Sequence, residues 1–258
     1  MEILTFEISG KFAHFRKYFA NNTALSFSIP PRTTIMGILA AIAGYPKDSY
    51  YESLSSDKIR IGIQNISLIK KSFHRLNLLK IIGYSDFRGR QGHTQTPFEV
   101  ISGEDIKSGM VNYRVYLSHY EGGKEIYNNI KQILIESYPK FNLSLGTANF
   151  QATISSIKLY NENDIEEKIL ENTEIELYSA CNSDFVSELL YTKEEHQKYT
   201  FVEEEMMPCD FKANDDREVI KMTKLLFTTG NVPLKVRLSG KIYSLKKVDE
   251  ILNIQFIE

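Results

Sequence analysis

The 258-residue sequence predicts an α+β fold, with a βαββαβ domain over residues 1–165 and a smaller, mostly β part over residues 166–258. Three observations carry that expectation. Apolar residues alternate with polar ones in some segments and recur at helical spacing in others, in the order strand, helix, strand, strand, helix, strand. Beyond about residue 165 the helical spacing gives way to successive strand-like runs. A chain of this length with 42% hydrophobic and 25% charged residues can bury a large core.

Glu2 to Ser9 interleaves Ile3, Leu4, Phe6 and Ile8 with polar residues and ends at Gly10, as a strand does. Leu25 to Ile29 reads as a short extended piece before Pro30-Pro31. Thr33 and Thr34 are placed to cap a helix whose Ile35, Ile38, Leu39 and Ile42 share one face, and Gly44 with Pro46 stops it. Lys58 to Leu68 alternates Ile59, Ile61 and Ile63 with a slip near Asn65, giving a second strand. From 70 to 109 the alternation weakens while Gly83, Gly89, Gly92, Gly103 and Gly109 punctuate the chain, so a long basic excursion leaves the core here. Met110 to Tyr120 returns to alternation. Lys124 to Ser137 carries the stripe Ile126, Ile130, Ile133 and Leu134 before Pro139, and Phe150 to Tyr160 is a fourth strand. This order is the split βαβ, or ferredoxin-like, unit that RNA-recognition modules also use. Further on, Glu174 to Ala180, Val219 to Thr228, Leu234 to Ser244 and Val248 to Ile257 read as strands, with Gly240 marking a bulge or bend.

The net charge of -2 is an average over two unlike halves. Residues 1–140 hold 18 basic and 12 acidic side chains; residues 141–258 hold 13 and 21. Between 58 and 92 eight basic residues face only Asp86, with Phe73, His74, Tyr84, Phe87 and His93 within or beside them. Cations for phosphates and flat rings for bases are what single-stranded nucleic acid requires. A solvated lysine-rich loop has the same counts. Glu162 to Glu218 is the acidic counterpart, with 18 carboxylates against five basic residues.

Other chemistries find little support. The longest mostly apolar stretch, Ile35 to Tyr45, falls short of the roughly 20 residues that span a bilayer, and Met1-Glu2-Ile3-Leu4-Thr5 lacks the basic and apolar pattern of an export signal. A cytoplasmic protein without a membrane partner is expected. Cys181 and Cys209 stand far apart, and His14, His74, His93, His119 and His196 fall in no metal-binding pair, so neither metal nor cofactor is expected. Gly146, before Thr147-Ala148-Asn149-Phe150, fits either a tight loop that lets backbone approach a ligand or a plain turn before the last core strand.

The most specific stretches are Gly10-Lys11-Phe12-Ala13-His14-Phe15-Arg16 and Ser26-Phe27-Ser28-Ile29-Pro30-Pro31-Arg32-Thr33-Thr34-Ile35-Met36-Gly37, which continues to Gly44. Together they resemble the N-terminal signature of the CRISPR-associated RAMP proteins that cap the five-prime handle of CRISPR RNA in type I Cascade complexes. Thr94-Gln95-Thr96-Pro97-Phe98-Glu99 and Leu145-Gly146-Thr147-Ala148-Asn149-Phe150 resemble the subtype I-B branch. The resemblance covers the first 150 residues; the acidic part carries no recognisable motif, and such parts vary within the family. It implies a ferredoxin-like domain whose excursion is a thumb, and a noncatalytic, antiviral role with CRISPR RNA, the backbone and large subunits of Cascade, and target DNA through the complex as partners. Under it Arg16 and Arg32 would meet phosphates, helped by Thr33, Thr34 and the first amides of the helix, unless these residues only cap it. His14 and Phe15 would stack on a handle base or pack in the core. Lys70, Lys71, Arg75, Arg88 and Arg90 would follow the RNA backbone, while Gln91, His93, Thr94 and Gln95 would address base edges, and Gly146 would lie close to the RNA.

Two alternatives remain at this point. Relatives in subtype I-C cleave precursor RNA without metal through Tyr, His and Lys side chains. His119 is the candidate here, yet Ser118 and Tyr120 flank it where an adjacent Lys would be expected. The other alternative is a stand-alone single-stranded RNA-binding module, which would be a soluble monomer without protein partners.

Overall fold

The computed structural model describes residues 1–20, 23–136, 138–191, 201–213, 217–247 and 250–257. Ser137, His196 and Val248, which enter the sequence expectations, lie outside the described residues. The fold is mixed and mostly β.

The N-terminal part runs β1 (Ile3–Gly10), β2 (Phe12–Ala13), β3 (Phe15–Arg16), β4 (Ser26–Phe27), α1 (Arg32–Ala43) and β5 (Ile59–Asn65). It continues with β6 (Ile69–Leu79), β7 (His93–Gly103), β8 (Val111–His119), α2 (Lys124–Glu136), β9 (Leu143–Ser144) and β10 (Gln151–Tyr160). One antiparallel sheet has the order β5-β8-β1-β10-β9, so the four strands expected from alternation stand second, third, first, fourth. Leu4, Phe6 and Ile8 of β1 point to one face and are fully buried with Ile35, Leu39 and Ile42 of α1 and Ile130 of α2.

The start of α1 departs from expectation. Thr33 and Thr34 do not cap the helix; Pro31 does, with no side-chain cap bond. Its carbonyl accepts the Thr34 and Ile35 amides at 2.9 and 3.1 Å, and its ring fixes φ at -56°, so the helix begins at Arg32. Gly44 ends it at φ +83°, donating to the Ala40 carbonyl at 2.8 Å.

The excursion is a long β-hairpin. β6 and β7 are 11-residue strands paired from Ile69↔Gly103 to Leu79↔His93, with a short 3-10 turn, Tyr84–Arg88, at the tip. Asp86 holds that turn by accepting the Ile82 and Gly83 amides at 2.9 and 2.8 Å. Most outer side chains of the hairpin are exposed on both faces, which is why no alternation betrays its strands.

The C-terminal part comprises β11 (Ile165–Leu177), β12 (Cys181–Asn182), β13 (Val186–Leu189), β14 (Val202–Phe211), β15 (Val219–Thr228), β16 (Leu234–Lys247) and β17 (Glu250–Ile254). β16 pairs β11, β13 and β17, while β15 pairs β12 and β14. Its side chains enter the main core: Met207, Cys209, Leu225 and Phe227 join the cluster of α1 and β1. Tyr243, Leu252, Ile254 and Phe256 pack on Ile3, Tyr116 and Tyr160, on the sheet face opposite the helices. RNA-recognition modules stack bases on that face; here its Ile3 end is covered by protein.

Much of the acidic excess is neutralised within the chain. On β14, Glu203 meets Lys71 at 3.6 Å, Asp210 meets Arg32 at 2.7 Å and Glu205 pairs with Lys17. Across β11 and β16, Lys235 pairs with Glu176, Arg237 with Glu174 and Lys241 with Glu167. These last pairs are substantially exposed and each contributes at most about 1 kcal/mol.

Candidate nucleic-acid interface

A groove of about 600 Å³ opens at the N-terminal end of α1. His14, Phe15, Arg16 and Tyr18 form one wall, Thr33, Thr34, Gly37 and Ile38 of α1 the next, and Asn142, Ser144, Gly146 and Thr147 a third. Tyr50, Tyr51 and Phe98 add rings, and Pro208, Phe211, Arg217 and Val219 close it from the C-terminal part. Two arginines and no carboxylate stand among the described lining residues. Such a surface attracts anions and offers flat faces to rings.

His14 is packed as well as groove-facing. Only 2% exposed, it donates from Nδ1 to the Glu99 carbonyl at 2.7 Å and stacks on Phe98 with ring centroids 4.0 Å apart. Burial pushes its pKa below 6.5, so the imidazole is held neutral. Phe15 lies edge-on to Tyr113 at 5.8 Å and belongs to the core.

Gly146 explains how these loops meet. At φ +94°, a Cβ there would fall 1.8 Å from the His14 carbonyl oxygen. The close approach is therefore to the protein's own backbone, sealed by the His14 amide donating to the Leu145 carbonyl at 3.0 Å. The turn reading accounts for this glycine, which also lines the groove.

Arg32 is placed away from the groove and its predicted phosphate role is corrected accordingly. Fully buried, it donates to Asp210 at 2.7 Å, to the Cys209 carbonyl at 3.2 Å, and to the Leu54 and Ile59 carbonyls at 2.9 and 2.7 Å. A guanidinium so enclosed ties α1 to β14 and cannot reach RNA. Arg16, by contrast, is exposed and makes no ion pair among the described residues. Thr33 is buried and Thr34 half-buried; both line the groove from the first turn of α1.

The hairpin sorts its candidates by register. Arg75, Gln95 and His93 share one face with exposed Phe73, whereas Lys70 and Thr94 lie on the other, which leads down to Phe98 and the groove. Arg88, Arg90 and Gln91 sit exposed at or beside the tip turn. Lys71 is engaged by Glu203 at 3.6 Å and is the least available of the set.

Several groove residues escaped sequence reasoning. Phe98 lies inside a stretch singled out for its resemblance, but nothing marked its ring as a partner of His14. Tyr18, Tyr50, Asn142 and Thr147 sit in loops without periodicity, and Arg217 is a lone cation in an acidic run.

His119 lies elsewhere. Its Nδ1 bonds the Tyr120 carbonyl at 2.8 Å, and its ring is 4.8 Å from that of Tyr127. Lys131 stands 5.5 Å from the Tyr127 ring, so His, Tyr and Lys side chains do meet across α2 and β8. Glu2 takes both of the others, accepting from the Tyr127 hydroxyl at 3.0 Å and from Lys131 at 2.7 Å. Burial, then the Glu2 charge, raises the Tyr127 phenol well above its ordinary range.

The family model described as CRISPR-associated protein (Cas_Cas5) matches residues 3–219. Among curated proteins, none matches the sequence. A solved structure described as a CRISPR protein from Archaeoglobus fulgidus is 16% identical with a TM-score of 0.55, covering 98% of this chain and 99% of that one. At that identity the likeness speaks for the fold alone. A chain described as CRISPR RNA-guided surveillance complex is 11% identical with a TM-score of 0.49, covering 91% and 90%.

Proposed function

Because the chain belongs to the Cas5 family of CRISPR-associated proteins, we propose that it binds CRISPR RNA as a noncatalytic subunit of a type I-B Cascade complex, seated on the five-prime handle. The observation that carries this reading is the groove: two arginines, several rings and the first turn of a helix, with no carboxylate among the described lining residues. Arg16 and the Thr33 and Thr34 end of α1 would hold phosphates, and Tyr18 and Phe98 would face unstacked bases, with His14 backing the Phe98 ring. Arg75, Arg88 and Arg90 would carry the strand along the hairpin. The sheet order supports the ferredoxin-like reading, with the hairpin as its thumb. The backbone and large subunits would be its protein partners, and target DNA would be met through the complex.

Co-expression with the neighbouring Cascade subunits, followed by sequencing of the RNA that co-purifies, tests this. A fixed repeat-derived five-prime end supports handle capping; random cellular RNA, or failure to co-purify with those subunits, sinks it in favour of a stand-alone RNA-binding module.

A second reading, metal-independent cleavage, draws on the meeting of His119, Tyr127 and Lys131. The Glu2 carboxylate weighs against it, since it occupies the lysine and the phenol and repels a scissile phosphate. A product ending in a 2′,3′-cyclic phosphate, made by the pure protein and lost in His119→Ala, would reverse that choice.

A further inference from the structure

The proposed role of the groove leaves open what Arg217 does there, and the following inference rests on that role. Arg217 and Asp48 come from distant parts of the chain and meet beside the groove, the arginine Nε donating to Asp48 Oδ1 at 2.9 Å. Arg217 lines the groove and its side chain is 51% exposed, while the Asp48 side chain is 12% exposed. Both backbones are left-handed, φ +53° and +62°. Aspartate tolerates that conformation; for arginine it is uncommon, and strain of this kind concentrates at binding sites. Asp48 does not depend on Arg217, because it also accepts the Tyr51 hydroxyl and meets Lys47 at 3.4 Å.

We infer that Arg217 is a phosphate ligand of the groove, held by Asp48 until an RNA phosphodiester takes its place. An ion pair whose arginine is half-exposed costs little to open, whereas the planar guanidinium can grip two phosphate oxygens at once. When the arginine swings to the RNA, Tyr51 and Lys47 keep the Asp48 carboxylate satisfied. The other cation of the groove, Arg16, makes no ion pair among the described residues and needs no such exchange.

Fluorescence anisotropy with labelled single-stranded poly-uridylate, and with the RNA that co-purifies, reads this out. Arg217→Gln weakens binding about tenfold and lowers the slope of log affinity against log salt by about 0.7. Asp48→Asn releases the arginine and tightens binding about two- to fivefold. The double variant binds no better than Arg217→Gln. Unchanged binding in Arg217→Gln overturns the inference, as does an Asp48→Asn protein that keeps its melting temperature but binds as weakly as Arg217→Gln, since the pair would then be a fixed brace. If Asp48→Asn does not fold, the affinity and slope of Arg217→Gln, a change at a half-exposed side chain, still decide. A wild-type protein that binds neither RNA removes the groove's proposed function itself; wild-type binding that Arg217→Gln leaves untouched removes this inference alone.

Discussion

Arg32 Nη1 donates to Asp210 Oδ1 at 2.7 Å in the protein interior, between residues 178 positions apart in sequence. This contact welds the acidic C-terminal part to the first helix and so fixes the wall that Pro208 and Phe211 give the groove. Removing one partner of a buried pair strands the other charge, so Arg32→Met is expected to cost about 3–5 kcal/mol of stability by urea unfolding. Joint replacement, Arg32→Met with Asp210→Leu, should recover a large part of that loss. If the single change leaves the unfolding midpoint in place, the weld is not where the two parts are held.

Gly146→Ala should be among the most damaging small substitutions. The new methyl would overlap the His14 carbonyl at 1.8 Å and sit at φ +94°, so the turn must shift, at roughly 2 kcal/mol or more. Because His14 and Gly146 both line the groove, RNA affinity should drop in the fraction that still folds. A thermal melt and a binding titration on the same preparation check both.

His14 predicts an acid-side loss of stability. Burial holds its native pKa below 6.5, so between the two values the unfolded chain binds a proton that the native state does not. Stability is full above pH 6.5, declines as pH falls through that interval and levels off below the native pKa. His14→Gln should remove this component from urea midpoints measured across the interval. A decline that persists undiminished in the variant assigns it to another group.

Arg88→Gln combined with Arg90→Gln should weaken RNA binding with no change in melting temperature, since both side chains are exposed. Each lost phosphate contact lowers the single-strand salt slope by about 0.7, or about 1.4 for the pair. Equal slopes for variant and wild type would take the hairpin tip off the RNA.

The sheet and both helices were legible because one face of each is buried, and burial writes a period into the sequence. Ile35, Ile38, Leu39 and Ile42 gave α1 away, as Val111, Tyr113, Val115 and Leu117 gave β8. The hairpin strands carry no such imprint, being exposed over most of their length. β14 hid for another reason: its glutamates look like a solvated run, and only their partners Lys17 and Lys71, well over a hundred residues away, make a strand of them. Arg32 shows the same limit within the site. A cation at the start of a helix reads as a phosphate ligand until the chain folds Asp210 onto it.

Photo-crosslinking bound RNA to the protein and mapping the modified residues by mass spectrometry addresses the central claim most directly. Crosslinks at Tyr18, Tyr50 or Phe98 in the groove, together with residues of the hairpin, are the expected result. Crosslinks confined to the uncovered part of the sheet face opposite the helices, around Ser9 and Asn112, with none in the groove, would contradict it.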